Sequence, residues 1–269
     1  SGEDIKKAEP NLCSDAVDAV LFCPLEGKLN PFAVTLAFLD KVKAAGAVLM
    51  QNTPVTGFQK SCGRITGIET PRGVFSAGWV VNCAGPRAAF LGEMADVSIP
   101  VCFHKGTAFV SQPVPPVIHG PVCGGGFLMK GAGLEPPRRQ IGFATVQTVH
   151  GSIMIAQSTE TCQTDDKSVN MPSLTLIARR FLTYFPQLED LQIVRAWAAV
   201  TTYTKDDLPV FGFSRAASNF FTVAGFKGAF TVAPAVGQLT KDALEGHMDT
   251  DYRCCSPDRR AGGAEGATA

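Results

Sequence analysis

The stretch Asn219–Leu239, NFFTVAGFKGAFTVAPAVGQL, holds the residues best placed to do chemistry. A short apolar, β-branched and aromatic run reads as a buried strand, breaks at Gly225 and Gly228, and resumes as PAVGQLTKDALEG with helical spacing. A strand, a glycine turn and a helix start in that order let backbone come close to a ligand. They also aim free helix N–H groups at it, which suits a planar, electron-rich or anionic guest. A plain turn of small residues between strand and helix is the other reading. No catalytic triad or carboxylate pair stands out elsewhere. The nine cysteines are scattered without a C-x-x-C pair, so reduced and mostly buried thiols are expected rather than disulfides or a zinc site. The four histidines are isolated and read as packing or surface residues, and no metal site is expected.

The rest of the chain sets limits on partners. Apolar residues make up 45% of 269, ample for a core in one large domain or two small ones. Lysine plus arginine and aspartate plus glutamate both number 24, so no global field draws in nucleic acid or an anionic membrane. The apolar runs are shorter than the roughly 18 residues of a membrane span, and the polar opening SGEDIKKAEP does not resemble a signal peptide. With Ser1 as the true start, a soluble cytoplasmic protein is expected.

The elements that must position the turn are α/β at the two ends and β-rich between. NPFAVTLAFLDKVKAAGAVLM has Pro31 at a helix start, apolar residues at helical spacing, and Gly46 closing the helix. Short strands with glycine turns follow, ending in the buried run WVVNCAG. Strand-like patterning continues from Ser98 to Thr161, interrupted by PVPPVIHGPVCGGG and GLEPPRRQ, and CGGGFLMKG reads as a loop because no helix follows it. A second helix is expected over PSLTLIARRFLTYF, and 252–269 reads as a disordered tail.

Seven blocks in order, AEPNL, GKLNPFAVTLAFLDKVKAAGAVL, TPVTGF, GIETPRGVFSAGWVVNCAG, HKGT, VRAWAAVTTYTKDDLPVFG and NFFTVAGFKGAFTVAPAVGQLTKDAL, carry a resemblance over Glu9 to Gly246. The chain resembles the D-amino-acid oxidase family of FAD-dependent oxidoreductases, and within it the glycine and sarcosine oxidases and the opine or amine dehydrogenase subunits. The resemblance implies an α+β fold. Residues 24–94 and 204–246 would form a partial, discontinuous FAD-binding domain, and 1–23 with 95–203 a substrate domain built mainly on an antiparallel sheet. It further implies that Gly225, Phe226, Lys227 and Gly228 border the flavin ring, with the following helix aimed at the pyrimidine edge and Lys227 a cation near N1. Lys227 as an exposed turn residue is the alternative. Val55 matches the position whose backbone meets the adenine end, and Cys83, Ala84 and Gly85 match the strand end that passes under the cofactor.

Two departures shape what the resemblance implies. The family opens on a strand, a G-x-G-x-x-G turn and a helix that cradle the FAD pyrophosphate, and no such unit occurs in this sequence. A fragment, a chain completed by a partner subunit, or one that binds no FAD are the three possibilities. The family's W-A-G-x-R-P-x-T-P-D is replaced by WAAVTTYTKD, which puts Thr201 where an arginine would fork onto a substrate carboxylate. Arg195, Arg138, Arg139 or Lys105 could bind a carboxylate from another direction; as plain structural residues, Arg195 belongs to an ion pair and the others to solvated turns. Tyr203 and Trp197 line the pocket or the core, and Asp206 and Asp207 cap the turn before LPVFG. The implied reaction is oxidation of the C–N bond of a small amino acid or secondary amine by hydride transfer to flavin N5, with oxygen or a partner subunit as electron acceptor. Lys227, Tyr203 and Arg195 are the candidate catalytic residues. The alternative is a non-catalytic truncated module or assembly subunit that binds no FAD by itself. A folate-using aminomethyl-transfer relative shares the architecture but has no distinctive residue here.

Overall fold

The computed structural model describes residues 2–125 and 139–259. In chain order the elements are α1 (Gly2–Ala8), α2 (Pro31–Ala44), β1 (Gly57–Ser61), β2 (Arg64–Thr70), β3 (Gly73–Phe75), β4 (Val80–Asn82), α3 (Ala88–Met94), β5 (Cys102–Pro113), β6 (Val122–Cys123), β7 (Arg139–Gln147), β8 (Ser152–Cys162), α4 (Met171–Tyr184), β9 (Ile193–Tyr203), β10 (Val210–Phe213), β11 (Phe220–Ala224) and α5 (Ala229–Leu244). The fold is α+β. Its two compact units are Ser1–Asn30 with His104–Val200, and Pro31–Phe103 with Thr201–Ala269. The sequence reading drew its boundaries after residues 23, 94 and 203, whereas the units divide after Asn30, Phe103 and Val200.

The first unit centres on a sheet in the order β6-β7-β8-β5-β9, antiparallel where β6, β7 and β8 pair. Alternation puts Phe109 of β5, Phe143 of β7, and Ile153 and Ile155 of β8 into one core. Helix α4 covers it with Leu174, Ile177 and Phe181, a stripe at three- and four-residue spacing. Asn170 caps that helix, its side chain accepting from the Ser173 amide at 3.3 Å. The buried Gln147 side chain ties the neighbouring loop down: its Oε1 accepts from Val117 and Ile118, and its Nε2 donates to the carbonyls of Val114, Pro115 and Gly151.

The second unit has a meander, β1-β2-β3, and a smaller sheet in the order β10-β11-β4. In the smaller sheet β10 and β11 run antiparallel while β11 and β4 run parallel, with Phe220, Phe221 and Thr222 opposite Val80, Val81 and Asn82. Val210, Phe220 and Ala224 pack to one side with Ile65, Ala88, Val97 and Ile99. Phe211 and Phe221 pack to the other, with Ala243 of α5 and Cys255. Burial of both faces explains why the β11 sequence is continuously apolar rather than alternating. Asn219, fully buried, joins the pieces: its Oδ1 accepts from the Ile65 amide, and its Nδ2 donates to the Ile65 and Gly78 carbonyls.

Helix α2 differs from every expectation of an amphipathic helix. It starts at Pro31 and ends before Gly46, as its sequence dictates, yet none of its residues is buried. Phe32, Leu36 and Phe38 are 79%, 58% and 55% exposed. Among the described residues, strand β4 stands at the edge of its sheet with β11 as its hydrogen-bonded neighbour.

Two expectations are corrected here. Residues 252–259, read as disordered tail, carry structure: the 3-10 helix Thr250–Cys255 seats Tyr252 against Phe211 at 5.7 Å, and Arg259 is clamped by Asp206 at 2.8 Å. Residues 260–269 lie outside the described residues, as do Arg138 and most of CGGGFLMKG. The cysteines are all free, as read, but only Cys255 is buried; Cys23, Cys62, Cys83, Cys123 and Cys254 are exposed.

Candidate functional site

The parallel pairing of β4 and β11 decides where the sequence-predicted residues go. Because the two strands run side by side in the same direction, Cys83–Gly85 and Gly225–Gly228 both leave the sheet at its carboxyl end. In open α/β sheets that end is where ligands bind. Gly85, Gly225 and Gly228 have φ of 56°, 73° and 60°, a left-handed conformation costly for any side-chain-bearing residue. A Cβ on Gly225 would meet Thr204 at 3.4 Å and Val101 at 3.6 Å, so this backbone is packed closely from below. A Cβ on Gly85 would meet nothing within 4 Å, which leaves open space beside that turn.

The site's hydrogen bonding is set by residues that sequence reasoning did not single out. Asn82 is buried and spans the turn after β4, its Oδ1 accepting from the Ala84 amide at 3.2 Å and its Nδ2 donating to the Ala88 carbonyl at 2.9 Å. The Ala84 N–H is thereby committed within the chain. Helix α5 begins at Ala229 after Gly228, which provides no side-chain cap; the Thr231 amide turns back to the Gly228 carbonyl at 3.0 Å, which leaves the Ala229 and Phe230 amides at the positive end of the helix dipole for a ligand. The half-buried Phe226 ring packs edge-on to Phe211 at 6.1 Å. The ammonium of Lys227 is paired with Asp207. Asp207 itself has φ of 62°, and the turn carrying it is held by Asp206, whose Oδ1 accepts from the Leu208 amide at 3.2 Å. Hydrogen bonds from the Arg259 guanidinium, ahead of all other causes, hold the Asp206 carboxyl down at about 2.

The other candidates scatter. Val55 is half-buried in the extended approach to β1, where the next residue, Thr56, donates its amide to Glu69 at 2.8 Å. Cys83 is an exposed residue whose thiol is pushed up by burial of its sulfur. Tyr203 is half-buried at the end of β9 in the second unit, whereas Arg195 stands exposed in the first. Arg139 and Lys105, weighed as carboxylate binders or solvated turn residues, sit on strands and pair with the chain's own carboxylates, Glu160 at 3.1 Å and Asp166 at 3.2 Å. A groove of about 650 Å³ in the first unit is lined by Lys28, His119, Gln147 and His150, and none of the residues singled out in the sequence borders it. Among the described residues no cluster of three metal-ligating side chains occurs, and no helix is long and apolar enough to cross a membrane.

A strand pair with glycine turns at its carboxyl end and a helix start without a side-chain cap is an arrangement that nucleotide-cofactor sites use. The family model DAO, FAD dependent oxidoreductase, matches residues 1–243, and the chain belongs to that family, whose cofactor is FAD. It is 27% identical over 212 residues to the hydrogen cyanide synthase subunit HcnC of Pseudomonas aeruginosa, covering 78% of this chain and 46% of that one. It is 23% identical over 211 residues to sarcosine oxidase subunit beta of Rhizobium meliloti, covering 78% of this chain and 47% of that one. Among solved structures it resembles L-proline dehydrogenase from P. horikoshii, with a TM-score of 0.85, 29% identity, and coverage of 96% of this chain and 67% of that chain. Glycine oxidase from Geobacillus kaustophilus shares the fold, with a TM-score of 0.82, 22% identity, and coverage of 97% and 66%. The chain spans about half the length of the curated relatives it matches.

Proposed function

We propose that the chain is part of an FAD-dependent enzyme that oxidises the C–N bond of a small amino acid or secondary amine. A dinucleotide-binding segment, in the same longer polypeptide or in a partner subunit, completes its FAD site. The observation that carries this reading is the convergence of Cys83–Gly85 and Gly225–Gly228 at the carboxyl end of the parallel β4/β11 pair, beside the uncapped start of α5. Open space beside Gly85 and the left-handed glycines fit the close approach of a flat ring, and the α5 amides fit its electron-rich edge. The pyrophosphate has no comparable seat in this sequence, while the exposed apolar residues Leu36, Phe38 and Val42 of α2 and the edge of β4 offer surface for a further unit to cover. The unit Pro31–Phe103 with Thr201–Ala269 then serves the cofactor, and Ser1–Asn30 with His104–Val200 serves the substrate.

FAD, when bound, supplies the acceptor for a hydride from the substrate carbon. The chain's own task is to bind and orient. The Asp207 pairing steadies Lys227 beside the turn, Asn82 keeps the Gly85 turn shaped, and Tyr203 stands half-buried at the end of β9. The relatives named for sarcosine, glycine and L-proline support an amine of that size. Thr201 in place of a guanidinium clamp favours a substrate not held by a forked carboxylate contact at that position.

The test is turnover. The chain completed with an upstream dinucleotide-binding segment and loaded with FAD is assayed with sarcosine, glycine and L-proline, using dioxygen in one series and an artificial acceptor dye in another. Oxidation of at least one amine supports the reading, and the series that responds identifies the acceptor class. A folded, FAD-loaded protein that oxidises none of them, with either acceptor, leaves the assembly-module alternative.

A further inference from the structure

The 3-10 helix Thr250–Cys255 brings two thiols together outside the site described above. The Sγ atoms of Cys254 and Cys255 lie 3.8 Å apart, in contact, although side chains of successive residues usually diverge. Cys254 is exposed and Cys255 is buried against Phe211, Phe221 and Ala243. Burial first, then the neighbouring Cys254, pushes the Cys255 thiol up to about 11, so it rests as the neutral thiol. An exposed cysteine, its thiol 3.3 Å from the Asp251 carbonyl, thus lies in contact with a buried one.

We propose that Cys254 and Cys255 form a redox modification site that reacts with a hydroperoxide to give a vicinal disulfide. The Cys254 thiolate attacks the peroxide, whose O–O bond breaks; sulfur gains one oxygen as the sulfenic acid, and the remaining hydroxide takes up a proton to leave as water. The Cys255 sulfur then displaces that oxygen, forming the S–S bond, and its thiol proton departs with the oxygen as a second water. Two thiols lose two electrons and hydrogen peroxide gains them. Adjacent α-carbons sit about 3.8 Å apart, below the roughly 4.4–6.8 Å that disulfides prefer, so the product is strained and readily reduced.

Oxidation also has a mechanical consequence. Closing the bond draws the two sulfurs from 3.8 Å to about 2 Å and so pulls on the 3-10 helix that carries them. The Cys255 carbonyl accepts from Arg259 at 3.0 Å, and the same guanidinium donates to the Pro209 and Leu208 carbonyls and grips Asp206. Unwinding the helix therefore loosens the turn whose next residue, Asp207, pairs with Lys227. Any regulation of turnover through Lys227 rests on the proposed FAD reading; the modification itself does not.

The chain is treated, without FAD, with an equimolar amount of hydrogen peroxide, alkylated and digested with trypsin. Cleavage after Arg253 and Arg259 releases Cys254–Arg259, which holds both thiols and no other cysteine. The expected peptide has lost two hydrogens, resists alkylation and regains both thiols with dithiothreitol. A doubly alkylated peptide beside oxidised cysteines elsewhere, or sulfinate on Cys254 with no internal bond, overturns the proposal. With Cys255→Ser, a Cys254 sulfenate trapped by dimedone is expected, and its absence contradicts the order of attack. Tryptic cleavage after Arg259 in the native protein should accelerate roughly tenfold on oxidation, because cleavage follows the open population. An unchanged rate refutes the coupling to Arg259.

Discussion

Helices α2 and α4 are each fourteen residues long, and their surroundings are opposite. Helix α4 lays Leu174, Ile177 and Phe181 onto the larger sheet and caps its start with Asn170. Helix α2 carries Phe32, Leu36, Phe38 and Val42 and buries none of them. An isolated helix of this length is marginal in water, and helical stability in proteins comes mainly from a buried face. Apolar content alone does not make a core: α4 concentrates its apolar residues on one stripe that the sheet receives, whereas α2 spreads them around the helix and buries none.

The contrast can be broken most sharply in the α4 core. Ile177→Ala or Phe181→Ala should cost about 3–5 kcal/mol in denaturant unfolding, since each removes a fully packed side chain and leaves a cavity. Asn219→Ala should cost about 2–4 kcal/mol, because the Ile65 amide and the Ile65 and Gly78 carbonyls lose a buried partner. A loss below about 1 kcal/mol in either would show that the cores do not carry the stability assigned to them.

The Arg259 clamp should matter less and should be pH-dependent. Asp206 is held at about 2 in the folded chain, below the carboxylate's unfolded value of roughly 3.9. Its contribution is present above the unfolded value and is lost as pH falls through about 2, so stability should drop across that window by about 1–2 kcal/mol more than in Asp206→Asn. Parallel acid-denaturation curves for the two proteins would remove the clamp from the account. The smallest effect belongs to α2: Leu36→Lys or Phe38→Lys should change the stability of the chain as it stands by less than about 0.5 kcal/mol. The same substitutions should weaken association with an added dinucleotide-binding unit if that unit covers the helix.

What could be read from the sequence follows the same division. Pro31 and Gly46 announce α2, and the apolar period announces α4, because caps and periodicity are local signals. Gly225 and Gly228 mark the turn because left-handed backbone selects glycine. The exposure of α2 is not legible in the sequence, since apolar residues at helical spacing do not say what, if anything, buries them. Asn82 and Asn219 were missed because one asparagine in an apolar run has no periodic signature; only the paired burial and hydrogen bonds reveal its task. Arg259 was hidden in a polar, small-residue segment, where composition argues for disorder and a clamp on Asp206 fifty-three residues away cannot be seen. The exposure of most cysteines ran against the usual preference of that residue for the interior.

We propose that this chain holds the ring-edge half of an FAD site and needs a dinucleotide-binding segment to complete it. The direct measurement is an FAD titration by calorimetry and absorbance, of the chain alone and of a chimera carrying upstream the part of P. horikoshii L-proline dehydrogenase that this chain leaves unmatched. The expected result is no tight binding by the chain alone, stoichiometric binding by the chimera, and loss of that binding when Gly228 is replaced by valine. Tight FAD binding by the isolated chain, or a folded chimera that retains none, would contradict it.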